Sequence, residues 1–272
     1  MDNRPIGVFD SGLGGLTVIN ALQATMPQES FIYVGDTARV PYGEKDIDTL
    51  RLYGKEILGF LREKDVKAVI VACGTISSNV MEDLQAGFGS DCDGGFAIID
   101  VVRPGARACL KLENLRRVGV IATEATVKGG FFQKVLKEKS SNRSLEVDAR
   151  ACPLFVPLIE EGLYNHAMSD HIIKAYLHDW KENPVDAIIL GCTHYPLLSS
   201  AIRRVLGDIV QIDMAAATLE ETTKILAESS LLGGAGNKKT NEFYVSGDCS
   251  KFNEMSKKIT GLEISAKKIN WE

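Results

Sequence analysis

The sequence predicts an α/β protein made of two pseudo-symmetric open parallel-sheet domains, with a site in the cleft between them. Three observations carry this. Short β-branched runs alternate with longer helical patterns along the chain, as they do in a parallel α/β sheet. One order of strand motifs occurs twice. The 272 residues allow one large domain or two small ones, at roughly 150 residues per domain.

The elements follow in order. Residues 6–9 read as a strand, then come a Gly-rich turn and a helix to about residue 25. Residues 31–34 form a second strand. Residues 46–64 have helical spacing, with Leu50, Tyr53, Ile57 and Phe60 or Leu61 on one face. Residues 66–72 are apolar except for Lys67, like a strand buried on both faces of a parallel sheet. The second half repeats this order. V-G-V-I from Val118 corresponds to I-G-V-F from Ile6. V-K-A-V-I-V-A-C, ending at Cys73, aligns without a gap on V-D-A-I-I-L-G-C, ending at Cys192; four of the eight positions are identical. I-I-D ending at Asp100 pairs with Q-I-D ending at Asp213. The I-D strands suggest crossover points, giving a first domain of 1–98 plus 211–272 and a second of 99–210. The segment 228–239, rich in Ser, Gly and Lys, is expected to be an exposed loop.

Composition narrows the class. With 45% hydrophobic and 25% charged residues the chain has an ordinary globular profile. A net charge of −5 argues against nucleic acid as the main partner. No apolar run approaches the ~20 residues of a membrane span, and the start, Met1 to Pro5, is unlike a signal peptide. A cytoplasmic protein with no membrane partner is expected. Six cysteines are too few for a disulfide scaffold in a chain of this length.

Two of those cysteines invite a chemical reading. Cys73 and Cys192 fall at the C-terminal ends of equivalent strands, where open α/β sheets bind ligands. An unperturbed thiol, with a pKa of about 8.5, is mostly protonated at neutral pH. Each sits where a strand meets a helix, whose N-terminus would favour the anion. His194 lies two residues beyond Cys192, and Asp10 and Ser11 end the first strand at the same cleft. One thiol beside a histidine would suggest a nucleophilic hydrolase or transferase. Two equivalent thiols suggest removal of a proton from one face of a carbon and redelivery to the other, with acid and base exchanging roles by direction. That chemistry belongs to a racemase or epimerase acting at an acidic carbon.

The motifs extend this. G-V-F-D-S-G-L-G-G-L-T from Gly7, Y-V-G-D-T-A-R-V-P-Y-G from Tyr33, V-A-C with Thr75, C-P-L-F-V-P-L from Cys152 with Glu160, G-C-T-H-Y-P-L-L from Gly191 and Y-V-S-G-D from Tyr244 resemble, in order, the glutamate racemases of the cofactor-independent aspartate/glutamate racemase superfamily. The resemblance implies that Cys73 handles the proton of the D-enantiomer, assisted by Asp10, and Cys192 that of the L-enantiomer, assisted by His194. It further implies that Ser11, Tyr42, Gly43, Thr75 and Thr193 hold a small amino acid, glutamate, with Asp36, Glu160, Thr123 and Thr126 near the site. No pyridoxal phosphate or metal is implied. The product would be D-glutamate for peptidoglycan, and members are often homodimers. One position departs: the family usually has Asn after the first cysteine, and this chain has Gly74. The Asn side-chain bond to substrate is then lost, although the Gly74 N–H is still available; Asn79, five residues on, is a candidate substitute. The departure leaves open a racemase of another carbon acid, aspartate or hydantoin, and a non-catalytic amino-acid-binding relative.

Other features read as structural. Cys92, Cys109, Cys152 and Cys249 have no repeat partner. Cys192 and His194 could suggest a metal pair, but no other Cys/His cluster has ligand spacing, so no metal site is expected. His166, His171 and His178 are expected at the surface. The Gly12 to Gly15 loop lacks the ending of a P-loop and the spacing of a dinucleotide fingerprint, so it is expected to bind the substrate carboxylate or simply make the turn. Asn142 to Ser144 matches a glycosylation acceptor that a cytoplasmic protein would not use.

Overall fold

The computed structural model describes residues 2–140, 144–234 and 240–271. Asn142 and Arg143 of the glycosylation pattern, and residues 235–239 of the expected loop, lie outside the described residues. The chain begins β1 (Ile6–Asp10), α1 (Leu16–Thr25), β2 (Phe31–Gly35), α2 (Ile47–Glu63), β3 (Ala68–Val71), α3 (Gly74–Asn79), α4 (Met81–Phe88) and β4 (Ala97–Asp100). It continues through α5 (Val102–Leu110), β5 (Arg117–Ala122), α6 (Glu124–Gly129), α7 (Phe131–Lys139), β6 (Glu146–Ala151), α8 (Phe155–Glu160), α9 (Ala167–Leu177), β7 (Ala187–Leu190), α10 (Ser199–Leu206) and β8 (Val210–Ile212). It returns by α11 (Met214–Glu228), β9 (Asn241–Val245), α12 (Cys249–Thr260) and β10 (Lys267–Lys268). Among the described residues no helix is long and apolar enough to cross a membrane.

The strands form two sheets, in the orders β10-β9-β2-β1-β3-β4 and β6-β5-β7-β8. Every pairing is parallel. The order β2-β1-β3-β4 therefore recurs as β6-β5-β7-β8, and the sequence repeat holds in register. Gly7 lies opposite Val69 and Gly119 opposite Ile188; Ile99 lies opposite Ile70 and Ile212 opposite Ile189. Alternation places Val69, Val71 and Cys73 in one core layer, and Ile188, Leu190 and Cys192 in the matching layer of the other half. Both thiols thus emerge from the same face of equivalent strands.

The I-D strands have a local cause. Asp100 Oδ1 accepts the N–H groups of Val102 (2.9 Å) and Arg103 (2.8 Å), and Asp213 Oδ1 accepts that of Ala215 (2.8 Å). Each aspartate ends its strand by capping the helix that crosses to the other half. The chain leaves the first sheet after Asp100 and the second after Ile212, two residues beyond the crossover points read from the sequence, because each I-D strand completes its own sheet.

α2 matches its expected range. Asp46 caps it through the Thr49 N–H at 2.8 Å, and Leu50, Ile57 and Leu61 are buried while Tyr53 and Phe60 are partly so. The expected exposed loop differs in part. Glu228 still belongs to α11, and residues 231–234 are half-buried, with Leu231 and Leu232 against the core and the Gly233 N–H on Glu29 Oε1 at 2.7 Å. The other oxygen of Glu29 is 2.5 Å from Lys67 Nζ, which also donates to the Asp2 carbonyl at 2.8 Å. This pair is fully enclosed, and it explains the one charge in an otherwise apolar strand pattern.

Two stability outcomes follow. In α2 a Cβ at Gly59 meets nothing within 4 Å, whereas at Gly54 it would lie 2.9 Å from Leu84 Cδ1. Gly59→Ala should raise the free energy of unfolding by about 0.5–1 kcal/mol, and Gly54→Ala should lower it by roughly 1–3 kcal/mol through overpacking, both read by urea melts. Lys67→Met should cost about 3–5 kcal/mol, because it strands the Glu29 charge. The double variant with Glu29→Leu should recover much of that loss.

Candidate active site

The carboxyl ends of both sheets face a single cleft of about 270 Å³. The first half supplies Ser11 from the turn after β1, Tyr42 and Gly43 from the turn before α2, Cys73 from the turn after β3, and Gly74 and Thr75 from the first turn of α3. The second half supplies Thr123 after β5, Glu160 from α8, and Cys192, Thr193 and His194 after β7. Eight of these positions come from the turns beyond strand ends, and Gly74, Thr75 and Glu160 come from helix ends beside them, which is where open sheets leave room for a ligand.

Cys73 is buried and precedes α3, with its Sγ 3.7 Å from Ser11 Oγ. Burial pushes the thiol pKa up to about 12, and the Asp10 carboxylate adds to the shift. The Ile76 N–H and the Ser11 hydroxyl pull the other way, so the expected help from the helix N-terminus is present but outweighed. Cys73 is therefore a protonated thiol at neutral pH. Cys192 has different company. Its Sγ is 3.8 Å from His194 Nδ1, and His194 Nε2 is 3.3 Å from Glu160 Oε1. Burial works against a charged imidazole here. Cys192 and Glu160 outweigh it, with Asp10 contributing, and hold the His194 pKa up at about 10.

Asp10 lies behind the cleft, fully buried. Its Oδ2 accepts the Gly12 N–H at 2.9 Å, and its Oδ1 accepts the Thr193 hydroxyl at 3.2 Å. The loop must pass close by: a Cβ at Gly15 would lie 2.5 Å from Asp10 Cβ. The Gly12 to Gly15 segment thus wraps a carboxylate of the chain itself. Asp36 is also fully buried and does not line the cleft. Its oxygens accept Arg39 Nε (2.6 Å), Ser246 Oγ (2.5 Å), Trp271 Nε1 (2.7 Å) and the Tyr42 hydroxyl, so it holds the turn that carries Tyr42 and Gly43. Thr126 stands behind Thr123, within a hydroxyl chain from Thr75 to Thr123 (2.9 Å) to Thr126 (2.8 Å).

Asn79 does not take the place of the missing Asn side chain. Its Nδ2 donates to the Thr75 carbonyl (2.8 Å) and more weakly to that of Ala125 (3.4 Å), tying α3 to α6 away from the cleft. The sequence reading did not single out Val40, Pro41, Val156, Pro157 and Tyr195, which line the apolar walls, or Glu44, Glu124 and Glu161. Most of the wall residues lie within the motifs quoted above, which was the available signal. His194 is the one cationic side chain among the described lining residues. His166, His171 and His178 are exposed. Cys152 is buried below the site, where its carbonyl accepts the Tyr195 hydroxyl at 3.0 Å. Among the described residues no group of His, Cys, Asp and Glu could hold a metal ion.

The cleft thus presents two thiols, one from each half, with different neighbours and a common opening. Such a pair can move a proton to or from either face of a carbon held between them. Comparison with known proteins bears on this arrangement. The chain is 40% identical over 264 residues to a protein named glutamate racemase 2 from Caldanaerobacter subterraneus subsp. tengcongensis, covering 97% of this chain and 96% of that protein. Its structure is similar to that of glutamate racemase from Francisella tularensis in complex with D-glutamate, with a TM-score of 0.90, 34% identity and coverage of 100% and 98%. It is also similar to glutamate racemase from Thermus thermophilus in complex with β-chloro-D-alanine, with a TM-score of 0.86, 39% identity and coverage of 99% and 98%. The Asp/Glu/hydantoin racemase family model matches residues 16–222, and with relatives of this closeness over almost its whole length the chain belongs to that family.

Proposed function

We propose that the protein is a glutamate racemase that interconverts L- and D-glutamate by two-base proton transfer at Cα. The observation that carries this is the pair of cleft thiols in opposite electrostatic settings. Cys192, beside an imidazolium, acts as thiolate and removes the Cα proton of L-glutamate. Cys73, held as a thiol, delivers its own proton to the opposite face of the planar carbanion. The product is D-glutamate, with Cys192 now protonated and Cys73 now the thiolate. The D-to-L direction runs the same steps in reverse. One proton enters the carbon and one leaves, so each conversion balances without an oxidant, and the thiol pair resets for the next one by exchanging protons with water.

The carbanion needs stabilisation and the substrate needs holding. His194 supplies the positive charge. Ser11, Thr75, Thr123, Thr193 and Tyr42 supply hydroxyl groups, and the first turn of α3 supplies the Gly74 N–H. The names of the relatives support glutamate as substrate. We read the product as the D-glutamate used in peptidoglycan synthesis, a cytoplasmic role that the family resemblance carries.

Incubation with L-glutamate in deuterated water should place deuterium at Cα while optical rotation decays to zero. L-aspartate run in parallel tests for another carbon acid. Neither exchange nor racemisation with any amino acid would overturn the proposal. Cys73→Ser and Cys192→Ser should each lower the racemisation rate by about two to four orders of magnitude.

The pH profile has a definite sign. The His194 pKa is raised from its ordinary value of about 6.5, so the cation persists through neutral pH and is lost as pH rises through about 10. Racemisation should hold through neutral pH and fall on an alkaline limb near 10, measured as kcat/KM against pH. His194→Asn should lower the rate at neutral pH and remove that limb. The stability linked to His194 should be fully present below about pH 6.5 and disappear over the same alkaline range.

A further inference from the structure

The two halves meet around the cleft through glycines. A Cβ at Gly43 would lie 2.9 Å from Thr123 Cβ. At Gly14 it would lie 2.2 Å from Thr193 Oγ1 and 2.5 Å from His194 Nδ1. At Gly74 it would lie 2.5 Å from the carbonyl oxygen of Gly191 and 3.9 Å from Cys192 Cα. None of the three adopts a positive φ, so backbone conformation does not require glycine at these positions. The close approach of the opposite half does. Gly14 faces side chains, which can turn aside. Gly74 faces main chain, and that main chain is the strand end carrying Cys192. On this chain's backbone a Cβ at position 74 would have to displace the Gly191 carbonyl or the Cys73 turn itself.

We propose that Gly74 is a positioning residue: its lack of a side chain sets how closely the Cys73 turn approaches the Cys192 turn, and so the gap across which the two thiols address one Cα. This rests on the racemase reading. It gives Gly74 a role opposite to a mere loss of a substrate contact. If residue 74 lacked only a hydrogen bond, Gly74→Asn would restore one and tighten binding. If contact between the turns is what matters, every side chain there separates the thiols. Proton transfer falls steeply with such a separation, because the reacting atoms must lie about 3–3.5 Å apart.

The test compares Gly74→Ala and Gly74→Asn with wild type and with Gly59→Ala, which lies in α2 away from the cleft. kcat and KM are measured in both directions. Alkylation of Cys73 and Cys192 by iodoacetamide is followed by mass spectrometry, and each variant is melted. Both Gly74 variants should keep a cooperative melt, lose at least tenfold in kcat in both directions, and alkylate at Cys73 and Cys192 at least threefold faster than wild type. Gly59→Ala should match wild type in kcat and alkylation. Wild-type kcat and alkylation rates in Gly74→Ala would overturn the proposal, as would a lower KM with undiminished kcat in Gly74→Asn. Should Gly74→Ala not fold, Gly74→Asn carries the test through the same kcat and alkylation measurements, and wild-type values there overturn the proposal. A wild-type protein that racemises nothing sinks the racemase reading instead. The alkylation rates then still decide whether position 74 sets the approach of the two turns.

Discussion

The cleft depends on one buried carboxylate. Asp10 belongs to the first half, yet one of its oxygens is bonded to Thr193 of the second, and the other fixes the Gly12 turn. From this position its charge acts in both directions. It raises the proton affinity of Cys73 in its own half and that of His194 across the cleft. Asp10 therefore adds to both effects, although burial is the larger cause at Cys73 and the Cys192 and Glu160 contacts are the larger cause at His194. The price of enclosing such a charge is offset by the hydrogen bonds it accepts and by the imidazolium close by.

A second buried carboxylate does mechanical work. Asp36 gathers Arg39 and Tyr42 from its own turn, Ser246 from the end of β9 and Trp271 from the C-terminal segment. Arg39 lies over the ring of Tyr53, with its carbon 3.8 Å from the centroid, and it also pairs with Glu56. The wall carrying Tyr42 is thus anchored to α2, to β9 and to the last residues of the described chain. β9 and β10 break the symmetry between the sheets, and what they add is this anchorage.

Much of the fold was legible because apolar strands repeat with their register intact. The alignment of Val66 to Cys73 on Val185 to Cys192 corresponds to real pairing geometry, and the aspartates of the I-D strands proved to be helix caps. β6 was not legible. Its run E-V-D-A-R-A turns Val147 and Ala149 to the core, and on the other face Asp148 and Arg150 pair with each other and with Arg117, Trp180 and Asp179, so charges interrupt the apolar pattern. At the site, motif and strand position located the thiols and His194. Asp10, Asp36 and Thr126 read as lining residues but stand behind the lining. Sequence shows that a polar residue is near a site; which way its side chain turns depends on partners as distant as Thr193 and Trp271.

The unequal environments of Cys73 and Cys192 have a consequence for the whole reaction cycle. Mirror-image amino acids have equal free energies in solution, so the equilibrium constant of a racemisation is one. The ratio kcat/KM must then be identical in the two directions, whatever the protein does. Folds that match strand for strand but surround one thiol with a carboxylate and the other with an imidazolium cannot give equal ground states. The asymmetry must appear as compensating differences: the direction with the faster saturated turnover carries the weaker apparent affinity by the same factor. The halves repeat each other in backbone, but on the proposed two-thiol mechanism their different thiol neighbours divide turnover and affinity differently between the two enantiomers.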